Sequence, residues 1–557
     1  MKNIFLKSIT TTAFIGGLLY STTSTAQNPL SNFNNLELGT VHGNFQAVAQ
    51  YYIPDSTIGA ANVPEKLGFN GYANIIYTRG KFSAGIRYES YLSALQGYPT
   101  GYKGTGIPYR YATYKTDFLE VTVGSFYEQF GSGLTLRTYE ERTLGLDNAL
   151  DGVRIKAEPI KGVYLKGLIG KQRSFFTTGP GLVRGFDGEI QLNEAFKKLA
   201  DKKLVVTVGG SFVSKYQADQ DPTLVLPENV GTSAGRFLIS RNAFTLNGEY
   251  AYKINDPSLD NKYNYKSGDA TLLQASYAKK GFALSLSGSR IDNMSYRSDR
   301  NAQLTNLLIN YIPALNKQHT YSLLAFYPYA SQAKGEMEFA SELIYKFKKE
   351  TFLGGKYGTE VTINYSGSNA IDTTNLNPVT DAHHYQYKTN YFGIGKDVYF
   401  RDLYVEVYKK FSKKWKATFI YSYQVYNKDV IQKPGGGMIY SNIGVVDVTY
   451  KFKPESAIRL EVQNLATRQD HQDWAYALLE YTISPMWYIA VGDQYNYGND
   501  IVADRLHYYN VSAGFIKNAN RIELMYGKQR EGIFCVGGVC RTVPASNGVT
   551  LTITSSF

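Results

Sequence analysis

The segment Val549-Thr-Leu-Thr-Ile-Thr-Ser-Ser-Phe557 decides the fold. Successive side chains of a strand point to opposite faces. Val549, Leu551, Ile553 and Phe557 therefore share one face, and Thr550, Thr552, Thr554 and Ser556 share the other. The strand cannot run past Phe557, so it is expected to pair back onto the first strand, which removes an open sheet edge. The same unit recurs upstream from about Gly39: an alternating segment, then a turn. Phe82, Ala84, Ile86 and Tyr88 alternate with Ser83, Gly85, Arg87 and Glu89; Ile458, Leu460 and Val462 alternate with Arg459, Glu461 and Gln463.

Two folds fit this alternation. A soluble sandwich turns the apolar face to a core and the polar face to water. An outer-membrane barrel turns the apolar face to lipid and the polar face to its lumen. Connection lengths separate the two, because barrels place short turns at one rim and long loops at the other. Thr78–Lys81, Pro159–Gly162, Ala278–Gly281, Phe411–Trp415, Lys453–Ser456 and Lys517–Asn520 read as short turns, rich in Lys. Pro54–Lys66, Leu92–Pro108, Gln217–Val230, Ser366–His384 and Gln529–Asn547 read as long loops. Asp219, Asp221, Asp256 and Asp372 lie on the long-loop side, so the rims are expected to differ in charge. The expected fold is all-β: a transmembrane antiparallel up-and-down β-barrel over residues 40–557, with roughly 24–26 strands, short periplasmic turns and long extracellular loops.

Composition agrees. With 48 Tyr and 29 Phe among 557 residues, the chain is too aromatic to be disordered. Two Cys exclude a disulfide scaffold. No run of 18 apolar residues suggests a spanning helix, and mean hydropathy is −0.29. The formal charge of +12 does not point to nucleic acid, because the basic residues gather in turns and no recognition module is present. Met1–Ala26 reads as a secretory signal peptide: Lys2 and Lys7, a short apolar run over 13–20, then Ser24-Thr25-Ala26 at the cleavage site. Residues 27–39 are expected to form a short periplasmic segment, too short for a plug domain. Any constriction is then expected from inward-folded loops.

The candidate constriction is the most charged stretch. Val121–Leu136 reads as a strand interrupted by Gly124, Gly131 and Gly133, followed by Arg137, Glu140, Glu141, Arg142, Asp147 and Asp151. Mixed signs at this spacing can pair and stiffen a loop inside a lumen; a solvated outer loop fits the same residues. Glycines weaken a strand unless something packs closely on it, which favours the inward fold. The lumen wall is expected to carry Arg87, Glu89, Arg154, Glu189, Glu338, Glu342, Glu406, Arg459 and Glu461.

The run Gly124–Arg137 continuing through Leu146–Gly152, together with Ser456–Leu465, Trp474 and Ile483–Trp487, resembles a large Bacteroidota family of outer-membrane proteins without assigned function. The resemblance implies a barrel at the cell surface and brings no catalytic residues. The last strand with its terminal Phe557 likewise resembles the signal read during barrel assembly. Cys535-Val-Gly-Gly-Val-Cys540 reads as a hairpin turning at Gly537-Gly538, which places the two cysteines opposite one another as a disulfide.

Enzymatic patterns are poor. Gly231-Thr-Ser-Ala-Gly235 matches G-x-S-x-G by letter but lacks the strand–turn–helix setting. His383-His384 with Asp381 lies in a loop, and His42, His319, His471 and His507 are scattered. No catalytic residue, metal or cofactor is expected. The expected function is a porin-like channel for small polar or charged solutes in the outer membrane of a Gram-negative bacterium. The alternative is a non-enzymatic subunit of a secretion, biogenesis or surface-polysaccharide complex. Expected partners are outer-membrane lipid, lipopolysaccharide and the barrel-assembly machinery, with no nucleic acid; the sequence specifies no protein partner.

Overall fold

A computed structural model describes residues 39–376, 386–432 and 434–557. The expected signal peptide, most of the 27–39 segment and Asp381 with His383-His384 lie outside the described residues. The account below concerns the compact unit Val41–Phe557.

Twenty-four strands form one sheet that closes on itself. From Thr40–Tyr52 onward each wall strand pairs antiparallel with the next. The last, Ser546–Ser556, pairs with Asn520–Gln529 on one side and with the first strand on the other. The closing register runs from Asn44 opposite Ser556 to Tyr52 opposite Gly548. Closure leaves no free edge, and every wall amide and carbonyl can bond across a strand boundary. The chain is an all-β, antiparallel, up-and-down transmembrane barrel.

The alternation sets the two faces. Ile86 and Tyr88 are 45% and 47% exposed on the outside, whereas Arg87 and Glu89 are 3% and 0% exposed on the inside. Aromatic girdles mark the limits of the apolar belt. At the turn end Trp415 stacks on Tyr450 with ring centroids 4.4 Å apart, and Trp487 packs on Phe515 at 4.6 Å. At the loop end Tyr250, Tyr252, Tyr440 and Tyr509 face outward. Amphipathic rings collect at both water–lipid boundaries, separated by an apolar band about 25 Å tall.

Turn-end connections are tight. Ile160 returns to Val163 through Gly162 at φ 81°, and Lys279 to Phe282 through Gly281 at φ 80°. A left-handed conformation costs glycine nothing. Residues 192–203 and 348–358 are the longer connections at this end. Among the described residues the loop end has one tight turn, Phe175-Phe176, between Val163–Ser174 and Thr177–Gln191.

Three expected boundaries are corrected. Ser366 does not open a loop; it sits inside Thr359–Asn375, which pairs with the long strand Tyr387–Lys410. Its polar run is the inner face of a strand, interrupted by register shifts at Ser368–Asn369 and beyond. Val121–Leu136 is not one strand: the wall strand is Leu119–Phe126, and the chain then leaves the wall. The longest connection, residues 293–334 between Phe282–Asp292 and Gly335–Phe347, is absent from the expected loops.

Facing predicts an asymmetry in stability. Leu551→Arg, on the lipid face of the closing strand, should cost about 2–4 kcal/mol of folding into bilayers. Thr552→Arg, on the lumen face, should cost far less. Urea titration of vesicle-inserted barrel reads both, and equal losses would contradict the assignment of faces.

Candidate functional site: a lumen filled by two inward segments

Residues 127–149 and 293–334 turn into the lumen and join there. The Arg137 N–H donates to the Ile309 carbonyl at 2.8 Å, and the Tyr311 N–H to the Gly133 carbonyl at 2.9 Å. Ile309 in turn donates to the Tyr296 carbonyl at 2.9 Å. The backbone groups that a loop exposes are thus satisfied by a small sheet away from the wall. Phe130, Leu136, Tyr296 and Ile309 pack with wall residues Phe126, Leu168, Val183 and Val213 as one buried cluster. The glycines serve close approach. A Cβ on Gly131 would lie 2.4 Å from the Glu249 carboxylate, which accepts the Ser132 N–H at 2.7 Å.

A charge network bolts 127–149 to the wall. Arg87 binds Glu89 at 2.7 Å, Glu140 at 3.0 Å, and Asp147. Arg173 binds the same Glu89 through both terminal nitrogens, at 2.8 and 2.6 Å, and also reaches Asp147. The Tyr127 hydroxyl donates to Asp147 at 3.0 Å, and the Tyr91 hydroxyl to Glu89 at 3.1 Å. Two guanidinium groups thus meet two nearly inaccessible carboxylates, with Glu140 at the margin. Removing one partner of such a set strands a buried charge.

Residues 317–329 are fastened differently, by separate bonds to several wall strands and to the 468–473 connection, around a turn that the Ala325 N–H closes on the Tyr321 carbonyl at 2.9 Å. Lys317 pairs with Glu342 at 2.7 Å and His319 with Asp402 at 2.6 Å. The Tyr321 hydroxyl donates to Asp447 at 3.0 Å, and the Leu323 N–H to the Gln463 side chain at 2.8 Å. The Tyr327 hydroxyl donates to Asp470 at 3.2 Å, and that of Tyr329 to Glu336. Leu323, Leu324, Phe326, Tyr327 and Tyr329 fill the space against Phe400, Tyr404, Ile443 and Trp474.

The candidate constriction residues divide. Arg137 lies over the Tyr311 and Tyr139 rings, at 4.0 and 4.6 Å. Glu140 joins Arg87 and accepts from Arg142 at 2.8 Å, and Arg142 also covers the Tyr72 ring. Glu141 caps the short turn Arg142–Leu144 by accepting the Thr143 N–H at 3.1 Å. Asp151 must be corrected. Leu150 and Arg154 point inward from Leu150–Ile160, so the two-residue period sends Asp151 outward, where it pairs with Arg110 at 3.1 Å.

The wall candidates fall on the inner face. Arg154 pairs with Glu120 at 2.7 Å, and Glu189 with Arg236 at 3.1 Å. Glu338 accepts from Ser289 at 3.2 Å. Glu406 accepts from Tyr404, and Arg459 binds Glu461 and Asp447. Arg173, Asp402, Asp447 and the whole of 293–334 were missed. The recurring Tyr of 321, 327 and 329 was the available signal, but it reads as one more membrane strand. Cys535 and Cys540 are bonded across Gly532–Val536 and Val539–Val543, with Cα atoms 4.0 Å apart, closer than the usual 4.4–6.8 Å. The Phe557 backbone bonds Gly43 in both directions at 2.9 Å.

Above the inward segments the loops leave a cavity of 1170 Å³. Its floor includes Tyr311, Phe326 and Tyr327, and its sides include Tyr98, Trp474 and Arg530. The disulfide hairpin reaches over it: its Gly537 carbonyl accepts the Tyr311 hydroxyl at 2.7 Å, and its Gly538 carbonyl the Ser331 N–H at 3.1 Å. Gly231–Gly235 lies within the strand Asn229–Arg241, not on an elbow. His507 binds Asp493 at 2.6 Å and stacks on Tyr495, and among the described residues no serine hydroxyl bonds to it.

The buried charge set yields a test. Glu89→Gln should destabilise the junction by about 3–5 kcal/mol. Hydrogen exchange should then accelerate across 140–149 while the far wall stays protected. Unchanged protection at 140–149 would contradict the network's role.

Comparison with known proteins follows from this geometry. A ferric enterobactin receptor mutant from Pseudomonas aeruginosa is 10% identical over 93% of this chain and 81% of its own, with a TM-score of 0.41. The FrpB iron transporter from Neisseria meningitidis is 10% identical over 93% and 82%, with a TM-score of 0.36. OpdL from Pseudomonas aeruginosa is 8% identical over 94% and 99%, with a TM-score of 0.33. No curated protein matches the chain. A family model covers residues 1–557 throughout, and the chain belongs to that family, the Family of unknown function (DUF6029).

Proposed function

We propose that the barrel lies in the outer membrane of a Gram-negative bacterium and forms a gated route for small polar or charged solutes. One observation carries this reading: the loop end of a polar-lined lumen is occupied by the chain's own residues 293–334, held by side-chain bonds rather than by wall strands. A 24-stranded wall encloses more space than its own side chains fill. An open porin needs no such filling, and a purely structural barrel needs no polar lining. Toward the turn end Glu360, Lys416 and Arg521 face partly open space, as a wet lumen requires. Outer-membrane lipid and lipopolysaccharide contact the apolar belt, and the assembly machinery reads the strand ending at Phe557. No catalytic role is proposed.

The second reading, a non-enzymatic subunit of a larger envelope complex, draws support from the outward Arg110–Asp151 pair beside Ile75, Ile86 and Val123. A charged pair on the lipid face is costly unless headgroups or a partner meet it.

Planar-bilayer recording tests the first reading. The intact barrel should show little steady current, and replacing residues 317–329 by a Gly/Ser linker should give a large ohmic conductance. A folded linker variant without current would overturn the proposed route. A large steady current from the intact chain would overturn the gate.

A further inference from the structure

Arginines inside this barrel divide by their partners, with Arg142, Arg297 and Arg300 each bound to a single carboxylate. Arg87, Arg173, Arg236 and Arg290 each bind at least two carboxylates. Among the described residues, no carboxylate oxygen lies within the 4.0 Å ion-pair limit of Arg137, Arg530 or Arg541. Each lies over a ring instead. Arg137 covers Tyr311, Arg530 covers Phe326 at 3.6 Å, and Arg541 covers Tyr98 at 4.7 Å. All four of Tyr98, Phe326, Arg530 and Arg541 line the 1170 Å³ cavity, as does Tyr311.

Uncompensated positive charge in a partly desolvated wall is expensive. Burial pushes Arg530 down to about 10, which still leaves it cationic at neutral pH. Its nearest acids do not neutralise it: Asp470 holds Lys428 at 2.6 Å, and Glu531 offers its backbone carbonyl. One terminal nitrogen of Arg541 is buried without a hydrogen-bond partner, as is the Trp474 indole N–H on the same cavity. The Asn496 side-chain oxygen is buried and unpartnered too. Asp260, Asp470, Asp504 and Glu531 line the cavity too, but Asp470 holds Lys428 and Asp260 lies 3.8 Å from Arg297, so the site presents the free terminal nitrogens of Arg530 and Arg541 to an anion and an indole N–H and an amide oxygen to hydroxyls. Small-molecule sites span about 300–1,000 Å³, so this volume suits several linked rings better than one.

We infer that the vestibule binds an oligosaccharide bearing carboxylate, sulfate or phosphate groups. Arg530 and Arg541 hold the anionic groups, the Trp474 indole N–H and the Asn496 side-chain oxygen meet hydroxyls, and the partly buried Tyr508 contacts a ring. This deepens the proposed function by naming the solute class. The readout is binding and not current, so the inference can fail while the gated route stands.

The chain has three Trp, and Trp415 and Trp487 lie at the turn-end girdle. In a Trp415→Phe, Trp487→Phe background, Trp474 fluorescence reports on the vestibule. Titrating the detergent-folded barrel with a galacturonate tetrasaccharide should give a saturable change, and a neutral galactose tetrasaccharide should give none. Arg530→Gln with Arg541→Gln should weaken binding at least about tenfold, while Lys197→Gln at the turn end should leave it unchanged. Single Arg530→Lys, which keeps charge and bulk, should bind better than the double variant. Equal binding of the neutral sugar, no saturable change, or an unaffected folded double variant would each overturn the inference. Inorganic phosphate binding as tightly as the tetrasaccharide would overturn the saccharide assignment.

Discussion

Every polar side chain that a 24-stranded wall turns inward must meet water or a partner. In this barrel much of the loop half meets protein. Glu89, Glu336, Asp402 and Asp447 would otherwise line a channel as a band of negative charge. Inward segments and neighbouring wall strands supply the donors: Arg173 to Glu89, Tyr329 to Glu336, His319 to Asp402, and Tyr321 to Asp447. Wall and filling are therefore mutually dependent. Without the filling Asp402 loses His319 and Glu336 loses Tyr329, and without these acids the filling loses its grip on the wall.

The two inward segments are held by different physics. Residues 127–149 are fixed by a compact set of nearly inaccessible ion pairs, where loss of one partner costs about 3–5 kcal/mol. Residues 317–329 rely on buried aromatic and aliphatic side chains plus separate bonds to carboxylates worth about 1.5–3 kcal/mol each. The first arrangement resists small displacements. The second is spread along several wall strands, from Glu342 to Gln463. The disulfide hairpin touches both segments: its tip bonds Tyr311 and Ser331, and the Arg541 Nε–H donates to the Thr143 carbonyl at 2.8 Å.

The barrel was legible because its physics is strictly periodic. A two-residue alternation over many segments, tight Lys-bearing turns and an alternating final strand leave little freedom, and the observed strand count sits at the lower end of the expected range. The inward course of 127–149 was also legible, from glycines that admit close neighbours and from charges of both signs. Asp151 was misplaced although the period was in hand: counting back from Arg154 through Gly152 puts it outside. Residues 293–334 were not legible. Tyr321-Ser-Leu-Leu-Ala-Phe-Tyr-Pro-Tyr329 carries no charge and looks like wall strand. What distinguishes it is three-dimensional, namely which acids of distant strands wait at its side, and no local pattern encodes that.

The most direct measurement is a cross-link between filling and wall. In a chain lacking its native cysteines (Cys535→Ser, Cys540→Ser), Leu323→Cys and Gln463→Cys put one thiol on the filling and one on the wall position whose native side chain accepts the Leu323 N–H at 2.8 Å. The account predicts that a short membrane-permeant bis-maleimide bridges this pair in isolated membranes, while a pair joining Leu323→Cys to the outward Leu460→Cys is not bridged. Two free thiols at 323 and 463, both open to a bulky water-soluble reagent, would show that residues 293–334 do not fill the lumen.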